Sequence, residues 1–261
     1  MILSTNENYQ TAKLSNYPTF SLVSLPPLIS NYQEYLMQLF LIRHGQSWTN
    51  VHWREIKHNH QLNSHLTEEG QDQAQKLADW MKSAVPQMDC IYTSTLHRTL
   101  ETAVPLEAVY DQKAVFDHRL REGGYCYASG EPIPDEVLPI RKRVDFHAEP
   151  FTPFEGDPPG VESYNDLRNR VGQFLTEIIE KHNGDNIAVV THGWTLNAFT
   201  DVIFNIGAYR SVLLDFENTS VSWFEYRPED VKGPWRMHFL ARTPHLGGNH
   251  RHLRTFELEA S

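Results

Sequence analysis

Residues 39–50 read "LFLIRHGQSWTN", and this stretch decides the fold. Four apolar residues run into Arg43-His44-Gly45 with no spacer. An uninterrupted apolar run of this length reads as a strand covered on both faces, so its last residues emerge at the edge of a sheet rather than inside the core. In open α/β sheets that carboxyl edge is where ligands sit. Arg43 and His44 are therefore placed at a prospective site.

The same pattern occurs a second time. "NIAVVTHGWTLNAF" predicts a strand from Ile187 to Thr191 that stops at His192-Gly193 and yields to a helix. Between the two, "DCIYTSTLHRTLETAVPL" predicts a short strand, Cys90 to Thr93, then Ser94 as the N-cap of a helix carrying Arg98, Glu101 and Thr102. "HLTEEGQDQAQKLADWMKS" supplies Thr67 as an N-cap, two acids in the first turn, and Ala74, Leu77, Ala78 and Met81 at helical spacing. Ser163 with Asp166 forms a capping-box variant ahead of an apolar stripe of Leu167, Val171, Phe174, Leu175, Ile178 and Ile179. Strands at "SVSWFEY" and "WRMHFL" follow. This alternation implies an α/β domain of three layers, a doubly wound and mostly parallel sheet with helices on both faces.

The 261 residues allow one large domain, expected over 37–245. Within it, 123–160 changes character: glycines at 123, 124, 130, 156 and 160 and seven prolines from Pro132 to Pro159 predict an irregular excursion over the sheet edge. Residues 1–36 carry only Glu7, Lys13 and Glu34 as charges and hold a proline-broken apolar stretch, which predicts a flexible or loosely docked extension, or an upstream start with Met37 as the effective beginning. Residues 246–261 read as a loose tail. Twenty-three Lys and Arg against 33 Asp and Glu leave a net charge of −10, which removes the general attraction to polyanions that nucleic-acid binders use. No stretch approaches the roughly 18 apolar residues of a membrane helix. Cys90 and Cys126 lie far apart, so a disulfide framework is not expected and the cytoplasm is the expected compartment.

Three strands thus end at Arg43-His44-Gly45, at Ser94 shortly before Arg98, and at His192-Gly193. Adjacent ends would gather two histidines and two arginines beside helix N-termini, a cluster suited to a dianion. Arginine offers planar paired donors for phosphate oxygens and stays charged. Histidine is a competent nucleophile near neutral pH if its other ring nitrogen gives its proton to a carbonyl or carboxylate. A glycine after each histidine leaves room for phosphate to approach the backbone. An alkoxide leaving group needs a proton, and "HRLREGGYCYASGEP" offers Glu122, where partial burial would raise the pKa of a carboxylic acid. Glu131, in the same irregular segment, is the competing acid.

Taken in order, "LIRHGQSWTN", "YTSTLHRTLETA", "LREGG" and "VVTHGW" resemble the four sequence blocks of the histidine phosphatase superfamily, which includes cofactor-dependent phosphoglycerate mutase. Weaker similarity extends through "GVESYNDLRNRV", "ENTSVSWFEY" and "PHL". The resemblance implies a phosphoglycerate mutase-like fold, His44 as the phosphorylated nucleophile, and Arg43, Arg98 and His192 as the phosphate pocket, with Gly193 beside it. It further implies Asn50 as a phosphate contact and Glu122 as the proton donor.

The departures carry information as well. "HNHQLNSHLTEEG" lacks the glycine-tryptophan pair of the mutases, and "GGYCYASGEP" after Glu122 lacks their substrate clamp. The expectation is therefore a phosphoric monoester hydrolase of the histidine acid phosphatase type acting on a small phosphorylated metabolite, with no cofactor, metal, nucleic acid or membrane partner. A phosphoglycerate mutase and a non-catalytic phospholigand-binding protein are the alternatives. Several residues keep a second reading. Arg98 could instead pair with Glu101 or Glu107 on a helix surface. Arg141, Lys142 and Arg143 are a solvated face or a second anion contact, and Tyr125, Tyr127 and Phe146 line a lid or only pack it. His52, His58, His60 and His65 are numerous but lack metal-ligand spacing.

Overall fold

Strand β1 (Met37–Arg43) begins the domain, followed in chain order by α1 (Trp48–Val51), α2 (Glu68–Ala84), β2 (Cys90–Thr93), α3 (His97–Tyr110), β3 (Val115–Phe116), α4 (Tyr164–Lys181), β4 (Asn186–Thr191), α5 (Gly193–Ile203), β5 (Val221–Tyr226) and β6 (Trp235–Arg242). The structure, a computed structural model, describes residues 36–56, 63–124, 162–207 and 212–247. The expectations for the N-terminal extension, for nearly all of the 123–160 excursion and for the tail fall outside the described residues, as do Tyr125, Tyr127, Glu131, the Arg141–Arg143 triplet and Phe146.

One six-stranded sheet runs in the order β3-β2-β4-β1-β5-β6. β3, β2, β4 and β1 are mutually parallel, whereas β5 and β6 pair antiparallel at the far edge. A short connection such as the one between β5 and β6 can join only antiparallel neighbours; parallel neighbours need a crossover, which the helices supply. Alternation along the central strands feeds two cores. On one face Phe40, Ile42, Ile91, Ala188 and Val190 pack against Leu77, Ala78, Met81, Ala103 and Leu106 of α2 and α3. On the other, Leu39, Leu41, Tyr92, Ile187 and Val189 pack against α4 and α5 through Leu167, Val171, Phe174, Ile178, Leu196 and Phe199. The three layers and the mostly parallel sheet are those expected from the alternation of elements.

Helix starts follow the local chemistry. Thr67 Oγ1 accepts from the Gly70 N–H at 3.1 Å to cap α2. At α4, Ser163 Oγ accepts from the Asp166 N–H at 3.1 Å while Asp166 Oδ2 accepts from the Ser163 N–H at 2.9 Å, a complete reciprocal cap. The start of α3 differs from expectation: Leu96, not Ser94, occupies the N-cap position. The sheet explains the shift. The Ser94 N–H extends the β2 ladder to the Val190 carbonyl at 3.0 Å, and its hydroxyl lies 2.8 Å from His192 Nε2, so the helix cannot begin until this contact has been made. Among the described residues no helix is long and apolar enough to cross a membrane.

Candidate active site

Register brings the three strand ends level. Arg43 pairs with Thr191 across the β1–β4 ladder, and Thr93 pairs with Val190 across β2–β4, so the next residue of each strand leaves the sheet side by side. His44 and His192 are consequently neighbours, with ring centroids 5.2 Å apart. The His44 N–H continues the ladder to the Thr191 carbonyl at 3.0 Å, and its carbonyl accepts from the Thr219 N–H at 3.2 Å and Asn218 Nδ2 at 3.0 Å. The nucleophile candidate is thus bolted to β4 on one side and to the turn before β5 on the other.

His44 is 2 % exposed, and its two ring nitrogens have different partners. Nδ1 lies 2.7 Å from the Gly45 carbonyl, which can only accept, and Nε2 lies 3.1 Å from Arg98 Nε, which can only donate. The proton is therefore on Nδ1 and the lone pair on Nε2. Burial, then the Arg98 and Arg43 guanidiniums, hold the imidazole well below the usual histidine range, which keeps that lone pair unprotonated. The condition set out for a nucleophilic histidine, a carbonyl taking the other proton, is the geometry observed.

Arg98, 4 % exposed, is buried against His44 rather than on a helix surface. The two acids considered as its surface partners bond elsewhere: Glu101 to His65 and to the Leu66 N–H, Glu107 to Lys113 and the Ala114 N–H. Arg43 donates through Nη1 to the Phe216 carbonyl. His192 is fully buried, and burial, then Arg98, His44, Arg170 and Arg43, keep it well below the usual range.

Glu122 reaches the same place from the 3₁₀ turn His118–Leu120. Its Oε1 accepts N–H bonds from Gly123 at 3.0 Å and from Trp194 and Thr195, in the first turn of α5, at 3.0 and 3.3 Å. A Cβ placed on Gly193 would lie 4.0 Å from Glu122 Oε2 and 3.9 Å from Arg43 Nε, so the carboxyl and the guanidinium flank the same glycine. Asn50 Oδ1 accepts from the Ser47 N–H and hydroxyl, each at 3.0 Å, and from Asn218 Nδ2 at 3.2 Å. Beyond it, Thr49, Trp53 and Arg54 complete the lining of a cavity of about 570 Å³.

The two glycines that follow the histidines stand in different surroundings. At Gly193 an added Cβ would stand at ordinary contact distance from Arg43 and Glu122. At Gly45, by contrast, a Cβ would meet the Gly70 carbonyl oxygen at 2.5 Å, and the Gly45 N–H is used by Thr102 Oγ1 at 3.0 Å. Gly45 therefore allows the close approach of α2, a role the sequence did not suggest.

Sequence reading did not single out Ser94 as the partner of His192, Thr102, Asn218, or the Glu162–Arg170 pair. Each of them lies inside a quoted block, Ser94 and Thr102 in "YTSTLHRTLETA", Glu162 and Arg170 in "GVESYNDLRNRV" and Asn218 in "ENTSVSWFEY", but nothing in the blocks assigned them these contacts. Of the histidines weighed as metal ligands, His52 lies 3.2 Å from Glu55 and His65 stacks on His97, while His58 and His60 lie outside the described residues. Among the described residues no group of three or more His, Cys, Asp or Glu is placed to hold a metal ion.

Comparison with known proteins bears on this geometry. Residues 39–234 match the model of the histidine phosphatase superfamily, branch 1. The chain is 27 % identical over 215 residues to a probable phosphoglycerate mutase GpmB of Salmonella choleraesuis strain SC-B67, covering 81 % of this chain and 95 % of that one. Among solved structures, a phosphoserine phosphatase from Entamoeba histolytica in complex with phosphoserine superimposes with a TM-score of 0.60 at 23 % identity, covering 80 % of this chain and 99 % of that one. A mycobacterial glucosyl-3-phosphoglycerate phosphatase gives a TM-score of 0.58 at 22 % identity, covering 79 % and 99 %. At such identities the solved structures speak to the fold, while the family model spans all three strand ends and Glu122. The chain belongs to the histidine phosphatase superfamily, branch 1, and is on that ground an enzyme that acts on phosphoryl groups, as hydrolase or transferase.

Proposed function

We propose that this enzyme is a metal-independent phosphomonoesterase that hydrolyses a small phosphorylated metabolite through a phosphohistidine on His44. The observation that carries the reading is the fixed tautomer of a buried imidazole, with the Nε2 lone pair facing Arg98. As the ester enters, the Arg98 N–H turns from Nε2 to the phosphoryl oxygens, joined by Arg43, His192, the Gly193 region and the Nδ2 of Asn50. The lone pair then faces phosphorus. Nε2 attacks in line, the P–O bond to the alcohol breaks, and Glu122 gives its proton to the departing oxygen. Glu122, now a carboxylate, takes a proton from water as that water's oxygen attacks phosphorus. The P–N bond breaks, inorganic phosphate leaves, and His44 and protonated Glu122 are restored. A positioned acid of this kind contributes about 10² to 10⁴ in rate, and the guanidiniums stabilise the charge on the equatorial oxygens.

Hydrolysis is favoured over mutase chemistry because the residues after Glu122 lack the mutase substrate clamp. Phosphate release is to be followed over sugar phosphates, phosphoglycerates, phosphoserine and nucleotides with chelator present, and the acid-quenched enzyme assayed for an acid-labile, base-stable phosphoryl group. Release accompanied by that label on His44 is the expected result. Isomerisation of phosphoglycerate, stimulated by bisphosphoglycerate and faster than release, would make the protein a mutase. Tight phosphate binding without turnover across the panel would make it a binding protein.

A further inference from the structure

Glu122 has a problem of position. It stands after a single 3₁₀ turn, with neither strand nor helix to hold residues 121–124. Their backbone is held by side chains instead. Arg170 Nη1 donates to the Arg119 carbonyl at 2.5 Å and Nη2 to the Glu122 carbonyl at 3.2 Å. Glu162 Oε2 accepts from the Gly124 N–H at 3.0 Å. Arg170 and Glu162 are themselves joined as a two-point pair, Nε to Oε1 and Nη2 to Oε2, the latter at 2.9 Å. Glu162 is 1 % exposed and Arg170 8 %.

We propose that the buried Arg170–Glu162 pair is the positioning device of the proton donor, fixing the backbone on both sides of Glu122 so that its carboxyl meets the leaving oxygen. This rests on the reading of Glu122 as that donor. Burying two charges costs several kcal/mol per ion, a cost that pairing does not reliably return, and an apolar pair of similar volume serves stability as well. What an apolar pair cannot do is donate to two carbonyls and accept from an amide along one short segment. Lysine cannot do it either, because it lacks the planar fork. The pair also belongs to α4 and its lead-in, whereas Glu122 Oε1 is held by the first turn of α5. Backbone and carboxyl are thereby anchored on two helices that pack against each other, which leaves Oε2 one place to be.

The test uses two esters in single-turnover phosphorylation of the full-length enzyme. An alkyl phosphate needs a proton on its departing alkoxide; p-nitrophenyl phosphate releases a phenolate that does not. Arg170→Lys, Glu162→Gln and the double Arg170→Met, Glu162→Leu are compared with Glu122→Gln as the benchmark, and melting is followed for each. The double variant guards against misfolding, since it replaces the ion pair by apolar groups. Formation of phosphohistidine from the alkyl ester should fall about 100-fold in the pair variants, the usual cost of a displacement of about 1 Å, while the aryl ester slows less than about threefold. Equal slowing of both esters in folded variants, or no slowing, would reduce the pair to a structural role. Absence of the alkyl–aryl difference in Glu122→Gln, or of any phosphohistidine in the unaltered enzyme, would remove the donor reading itself.

Discussion

Two strands of this molecule end in the same way, β1 in Arg43-His44-Gly45 and β4 in Thr191-His192-Gly193, yet the two ends are built for different work. His44 has Nδ1 against a carbonyl and Nε2 against an arginine, which leaves one defined lone pair, on Nε2. His192 turns Nε2 to the Ser94 hydroxyl and begins α5, and its ring stands beside His44. The glycines diverge too. Gly45 is wedged against the backbone of Gly70, whereas Gly193 faces Arg43 and Glu122 across ordinary contact distances. The shared His-Gly pair thus differs in what its surroundings present: the α2 backbone at one end, a helix N-terminus and a carboxyl at the other.

The largest effect separates the histidines. His44→Ala should lower turnover by more than about 10⁴-fold and abolish the phosphoryl label, because the covalent route is lost. His192→Ala should cost about 10²- to 10³-fold, as for loss of one transition-state donor, with the label on His44 retained. Radiolabelling and steady-state assays of the two variants check this, and equal losses with no label in either would erase the distinction.

The glycines come next. Gly45→Ala should destabilise the fold by about 1–3 kcal/mol, since an added Cβ meets backbone that cannot step aside. Gly193→Ala should melt within a degree or two of the unaltered protein, by about the spread of neutral surface changes, and raise KM instead. Chemical denaturation beside KM for both variants tests the contrast, and a stable, fully active Gly45→Ala would refute it.

The smallest effects concern pH. Because burial and the arginines hold His44 below its ordinary value of 6.5, the phosphorylation rate should stay level as pH falls through 6.5 and decline only below it. An acid limb from His44 centred at 6.5 or above would show that burial and the arginines do not depress the imidazole. Stability runs the other way. His44 and His192 are depressed in the folded protein, and burial pushes His245 down to about 4. The unfolded chain therefore binds protons first as pH drops, so the stability these groups contribute is complete above 6.5 and is lost progressively below it. For His245 the window runs from 6.5 to about 4, and His245→Gln should flatten the melting-temperature profile there.

Much of this was legible in the residues because it is local. Apolar runs, the Thr67 and Ser163 caps, and the helical stripes follow from backbone hydrogen-bonding needs and side-chain periodicity, which neighbouring residues settle among themselves. The motif order placed His44, Arg98, Glu122 and His192 at one sheet edge without coordinates. Ser94 shows where such reasoning fails. A serine before a helix is an excellent cap by local rules, but a histidine 98 residues away takes its hydroxyl and delays the helix. Asn218 holds the His44 carbonyl across 174 residues, a contact that no local pattern encodes.

By itself, then, the sequence determined the layered α/β architecture, the strand ends and the chemical kinds of group gathered there, since periodicity, capping and residue chemistry act over a few positions. Only the tertiary structure decided which nitrogen of His44 carries the lone pair, why Gly45 must be glycine, and how Arg170 and Glu162 grip the segment around Glu122. Those outcomes depend on the sheet register that aligns Arg43 with Thr191 and on helix faces brought together from distant parts of the chain.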